Sequence, residues 1–317
     1  LCATITGNAT ETREHRTFAP LDISAPLDPE KVALGRMLFS DPILSSRQMI
    51  SCSSCHDLNE GGTVRLPRTV GYDGKEHRFN APTIFNVAKN YLLGWRGEFK
   101  SLEALNEKVL LDVNLMAADW AILEARLSSS PIYSQWFNRI YGHGPDRVSL
   151  LDALVTFQRS LITPNARFDT YLRGDSSALR PAELEGLHLF MSYGCASCHQ
   201  GMNLGGNMMQ KFGIFPPTSQ LDAVIVPSEG KSPIGHGWDE SLFRVPSLRN
   251  VAVTGPYFHD GRVESLSEAV SIMGQRQLGR TLSSPEIEAI VAFLNTLTGE
   301  YDGRKLHATA PATANNR

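Results

Sequence analysis

The chain has 317 residues, a formal net charge of −3, 42% hydrophobic and 20% charged residues. That length suffices for two domains that each bury a core. The charge balance excludes a polybasic nucleic-acid or anionic-membrane binder, and no run of eighteen apolar residues spans a bilayer. Five cysteines are too few for a disulfide scaffold, so their placement matters more than their number.

In chain order, the periodicity predicts helices over 29–39, 101–111, 118–129, 149–161, 181–192, 265–274 and 284–297, with no run of alternating strands. Pro29 and Pro181 suit the first turn of their helices. Gly/Pro-rich loops at 59–75 and 200–237 are long enough to wrap the edge of a bound group. The Ala/Thr/Asn-rich stretch after Tyr301 reads as a mobile tail. The fold class is mainly α.

Four cysteines lie in two copies of one pattern, Cys52-Ser53-Ser54-Cys55-His56 and Cys195-Ala196-Ser197-Cys198-His199. C-x-x-C-H is the attachment signature of c-type haem: the thiols add to the porphyrin vinyls and the histidine reaches the iron. A redox C-x-x-C beside an incidental histidine, or half of a zinc site, are the alternatives. Zinc would need a second ligand pair, and Cys2 is the only cysteine left. Two covalent haems imply attachment outside the cytoplasm, hence a periplasmic mature form whose leader has been removed. Cys2 is either a lipidated first residue or a stray thiol.

An internal repeat accompanies the motifs. Pro82-Thr83-Ile84-Phe85-Asn86-Val87-Ala88 recurs 164 residues later as Pro246-Ser247-Leu248-Arg249-Asn250-Val251-Ala252. The same offset carries Gly97 onto Gly261, Ser101 onto Ser265 and Trp95 onto His259. Gly35 and Gly186 sit on the helices leading to each motif. The expectation is two cytochrome c-like haem domains related by duplication, 18–163 and 164–300, followed by a tail at 301–317. By spacing alone Met273 is either core filler on its helix face or a sixth iron ligand; the offset maps it onto Val109, which cannot ligate, so the two irons differ.

The two motifs, Gly94-Trp95-Arg96-Gly97 and Gly255-Pro256-Tyr257-Phe258-His259-Asp260-Gly261 together resemble the bacterial di-haem cytochrome c peroxidase/MauG superfamily over roughly residues 27–300. The resemblance implies proximal ligands His56 and His199, and Met273 as sixth ligand of the second iron. It implies Trp95 as an electron bridge between the haems. It also implies a calcium ion held by Asn80 with the carbonyls of Thr254 and Pro256, an oxygen-only set of the kind calcium takes. Two departures stand out. The distal histidine of that family is expected sixteen residues after His56, where this chain has Tyr72, with His77 a competing ligand close by. The distal glutamate falls on Leu115, which cannot move a proton; His77, Glu76, Asp112 and Asp119 are the candidates to replace it. Trp120, Trp136 and Trp238 read as packing residues.

Three functions follow from these expectations. The preferred one is a MauG-like enzyme, close to the MbnH proteins, that uses H₂O₂ to reach a high-valent di-haem state and oxidises tryptophan on a partner protein through Trp95. The alternative is a conventional peroxidase that reduces H₂O₂ to water with electrons from a small cytochrome or cupredoxin. The third is a di-haem electron carrier, which would need both irons six-coordinate.

Overall fold

The computed structural model describes residues 17–22, 26–216 and 241–307. Cys2, Trp238, much of the 200–237 loop and residues 308–317 lie outside them. Helix α1 (Pro29–Ser40) starts where the Asp28 carboxylate accepts the Glu30 and Lys31 amides and Pro29 fills the first turn. It crosses α5 (Arg147–Ser160), which opens on an Asp146/Ser149 capping box. The crossing is so close that a Cβ on Gly35 would lie 2.1 Å from the Ala153 carbonyl oxygen. Farther along, α7 (Pro181–Ser192) and α9 (Ser284–Asn295) cross in the same way. There a Cβ on Gly186 would lie 1.9 Å from the Ala289 carbonyl oxygen.

Each crossing anchors a core. Leu34, Leu38 and Phe39 pack with Leu150, Leu154 and Phe157 in one; Leu187, Phe190, Ile290 and Phe293 fill the other. Residues near the two limits of the described part of the chain exchange cores. Phe18 packs on Phe168 in the second, with ring centroids 5.4 Å apart, whereas Tyr301 lies 4.8 Å from Phe85 in the first.

The turns that follow the haem motifs share local structure at the 164-residue offset. Asn86 and Asn250 both take the left-handed conformation, with φ of 58° and 62°. Isolated bridges close Leu93 on Phe99 and Tyr257 on Val263. Ser101 caps α2 (Leu102–Leu111) and Ser265 caps α8 (Leu266–Leu278). The two asparagines meet across a shared residue. Thr163 Oγ1 accepts from Asn86 Nδ2 at 2.8 Å and from Asn250 Nδ2 at 3.1 Å, with all three residues buried.

Helix α3 (Trp120–Ser129) matches expectation, but α4 (Pro131–Tyr141) was not foreseen. Pro131 is the first residue of this helix, where its missing N–H costs nothing. Short α6 (Arg167–Leu172) lacks the length for a periodic signal. The 200–237 stretch is not all loop: β1 (Met209–Lys211) pairs antiparallel with β2 (Leu242–Arg244), Gln210 facing Phe243. The tail expected from Tyr301 is also corrected. Glu300–Tyr301 (β3) pairs with Arg304–Lys305 (β4) through Asp302-Gly303, whose positive φ of 47° and 72° suits a two-residue hairpin. Among the described residues no helix is long and apolar enough to cross a membrane.

Candidate functional site

Both C-x-x-C segments are single 3₁₀ turns, Cys52–Ser54 and Cys195–Ser197, each following along the chain the helix that carries the close-crossing glycine. His56 Nδ1 faces the Gly62 carbonyl at 3.4 Å, and His199 Nδ1 faces that of Leu204 at 3.2 Å. An imidazole whose Nδ1–H is directed at a carbonyl presents Nε2 as a neutral ligand. Burial favours that neutral form, lowering the His56 pKa and taking His199 to about 4. Burial likewise pushes the Cys52 thiol up to about 12 and Cys195 to about 11. All four motif cysteines are free. Protonated thiols are poor zinc ligands, and among the described residues no cluster of three His, Cys, Asp or Glu could hold a metal ion.

The donor set fits haem. Free paired thiols and neutral imidazoles stand ready on both sides, and two arginines wait for anions. Arg276 is 3% exposed with Nε and Nη1 unpartnered, and Arg65 Nε is also buried without a partner. An unpaired buried guanidinium is costly, and the propionates of a porphyrin are of the sign that would relieve it.

Tyr72 lies on a hairpin closed by Val70–Glu76 and by Gly71 N–H to the Lys75 carbonyl, 2.9 Å. The Tyr72 amide donates to the Leu115 carbonyl at 3.1 Å, and the Arg47 guanidinium sits 5.3 Å from its ring centroid. Tyr72 and Leu115 are therefore neighbours. His77 is at the far end of the hairpin, its Nδ1 3.3 Å from the Phe79 carbonyl. The Asp112 carboxylate is occupied by the Asn114 amide and Lys108, and its pKa is lowered despite burial. Asp119 caps α3, and Glu76 is exposed.

Trp95 sits between the halves. Its indole N–H donates to the Asn80 carbonyl at 2.8 Å, its ring meets His259 edge-on at 6.4 Å, and its own carbonyl accepts from the Arg244 amide. His259 is buried beneath Phe243, stacked 4.1 Å away, and burial takes its pKa to about 4. Arg244 and Phe243 come from β2, which chain reading treated without a strand. Met273 packs half-buried among Phe212, Phe243, Val263, Ala269 and Ile272. Asn80 donates through Nδ2 to the carbonyls of Leu66 and Pro67, and its amide donates to the His259 carbonyl at 2.8 Å. Those two carbonyls carried no signal in the sequence. Thr254 spends its hydroxyl on the Val251 carbonyl, and Pro256 is buried. Trp120 donates to Glu107, and Trp136 stacks under Arg139 at 4.1 Å, both consistent with packing.

The Cytochrome c551 peroxidase of Nitrosomonas europaea is 37% identical over 92% of this chain and 87% of its own length. The chain belongs to the di-haem cytochrome c peroxidase/MauG family. The family description "Di-haem cytochrome c peroxidase" matches residues 29–177. The Methylamine utilization protein MauG of Methylorubrum extorquens is 31% identical over 87% of this chain and 80% of its own. A solved MauG-like protein associated with microbial copper homeostasis superposes with a TM-score of 0.74 at 26% identity, covering 89% of this chain and 93% of the other. As a member of this family the protein is a haem oxidoreductase with two c-type haems, mainly helical.

Proposed function

We propose that the protein is a periplasmic peroxidase that reduces H₂O₂ at the first-half haem site with electrons delivered through the second half by a small cytochrome or cupredoxin. The observation that carries this reading is the setting of Trp95. Its N–H is spent on a backbone carbonyl, which cannot take the proton, and the Arg244 guanidinium lies 6.0 Å from its ring. A hole resting on Trp95 would be a cation beside a buried cation, an arrangement that low dielectric makes costly. Such an indole suits the rapid passage of electrons between halves better than storage of oxidising power. The 37% identity to a cytochrome c551 peroxidase supports the same reading.

The bound haems would supply the iron that binds and reduces H₂O₂ and the redox store in the second half. The side chains do the rest. His56 and His199 hold neutral imidazoles in place, and Met273 closes the second site. Tyr72 supplies the proton that Leu115 cannot, with Arg47 over its ring. Asn80 and the carbonyls of Thr254 and Pro256 hold calcium between the halves, a reading supported by the two bonds from Asn80 Nδ2 to the Leu66 and Pro67 carbonyls, which fix the orientation of its amide. The correspondences at the 164-residue offset support an internal duplication, with domains 18–163 and 164–300.

A second reading, oxidation of tryptophan on a partner protein as in MauG, is favoured by Tyr72 itself. A tyrosine in place of a gating histidine leaves the first site open before any reduction. One experiment separates the two. The ferric holoprotein should give a high-spin and a low-spin resonance, then oxidise a reduced cytochrome in proportion to added H₂O₂. Mass change in a partner protein, with the reduced cytochrome left untouched, would overturn the peroxidase reading in favour of the second. Two low-spin resonances and no turnover would leave only a carrier.

A further inference from the structure

We propose that Tyr193 is a one-electron redox station of the second haem, with Glu286 as its proton acceptor. When H₂O₂ has withdrawn electrons from the haems and no donor has replaced them, the Tyr193 phenol gives up one electron to the second haem. Its proton passes to the Glu286 carboxylate, leaving a neutral phenoxyl, a neutral carboxylic acid and a haem reduced by one electron. H₂O₂ is the oxidant that balances the step. The proposal deepens the peroxidase reading, on which it rests for that oxidant.

Three features of the site carry it. Tyr193 caps the C-terminus of α7 and is separated from Cys195 by Gly194 alone, in the same core as Cys195 and Phe190. A thioether at Cys195 would fix the porphyrin edge two residues from the phenol ring. The phenol donates to Glu286 Oε1 in a short hydrogen bond, while Oε2 accepts from the Ser283 amide at 2.6 Å and its hydroxyl at 2.7 Å. Glu286 is thereby held ionised, its pKa drawn down to about 2 chiefly by the phenol, so an acceptor is always present. Finally, the Arg280 guanidinium lies 4.0 Å from the ring centroid. That cation opposes a positive ring, so oxidation without loss of the proton is disfavoured. Trp95 faces the same opposition from Arg244 but has only a carbonyl to receive its proton. Tyr133 and Tyr141 also donate to carboxylates, Asp41 and Asp152, but neither adjoins a haem cysteine in the chain.

The test mixes ferric holoprotein with H₂O₂ without donor, freezes it within milliseconds and records electron paramagnetic resonance beside the haem absorption. A tyrosyl signal is expected in the wild type and in Tyr133→Phe. It should be lost in Tyr193→Phe. It should fall several-fold in Glu286→Gln, which keeps an acceptor oxygen for the phenol but cannot take its proton. Spin trapping followed by mass spectrometry should place the adduct on the peptide containing Tyr193. A tyrosyl signal of undiminished size in Tyr193→Phe, or no protein radical in the wild type while the haem spectrum responds to H₂O₂, overturns the proposal. A haem spectrum that H₂O₂ leaves unchanged overturns the peroxidase reading itself, and this step with it.

Discussion

The partner that receives an aromatic side chain's proton decides what that side chain can do in a redox protein. Trp95 hands its N–H to a carbonyl beside Arg244, whose own pKa burial lowers to about 10 without discharging it at neutral pH. In the proposed peroxidase reading Trp95 is a conduit that electrons would cross, with neither charge nor proton settling there. Trp95→Phe keeps a ring against His259 and the surrounding apolar residues but removes the readily oxidised indole. Oxidation of a reduced donor cytochrome by H₂O₂ should then slow by roughly tenfold or more, equivalent to about 1.4 kcal/mol or more of barrier. The first, donor-free reaction with H₂O₂ should keep its rate. Stopped-flow absorption resolves the two phases, and an unaltered donor phase would remove Trp95 from the electron path.

At the scale of the elements, two glycines set how closely the helices of each core approach. Gly35→Ala and Gly186→Ala put a methyl against a carbonyl oxygen that glycine leaves within 2.1 and 1.9 Å of a virtual Cβ. Each should cost about 1–3 kcal/mol, the usual penalty for overpacking. Gly144→Ala meets nothing within 4 Å and should change stability little, so thermal melts of the three variants check the geometry. The helices and both haem motifs were legible because a 3.6-residue period and a fixed pentapeptide are local signals. Helix α4 was not foreseen although Tyr133, Trp136, Phe137 and Ile140 carry its period and Pro131 suits its first turn. The hairpin after Glu300 was legible in Asp302-Gly303 and was passed over for the composition around it. What no local pattern encodes is the meeting of distant segments. Arg244 on Trp95 and Leu66 and Pro67 on Asn80 depend on loops brought together only by the folded cores.

For the molecule as a whole, the question is what keeps the two halves in register so that electrons have a fixed path. Apolar contact alone is non-directional. The crossed segments add a strap on each side, Phe18 on the second core and Tyr301 on the first. Direction comes from the buried clasp in which a single hydroxyl, Thr163 Oγ1, serves the amides of Asn86 and Asn250. The amide oxygens of the clasp each take a backbone donor as well. Asn86 Oδ1 takes the Thr163 amide at 2.9 Å and Asn250 Oδ1 takes the Gly299 amide at 3.0 Å. Thr163→Val preserves the shape and both of those bonds, but leaves two buried amide N–H groups without an acceptor. At 1–3 kcal/mol for each stranded donor, the variant should lose about 2–6 kcal/mol of stability. Denaturant titration of the holoprotein measures the loss. The same variant should slow electron transfer between the haems while leaving the absorption spectrum of each intact, since neither iron site touches Thr163. A stability change below about 0.5 kcal/mol, the level of an ordinary surface substitution, would show that the clasp does not hold the halves together.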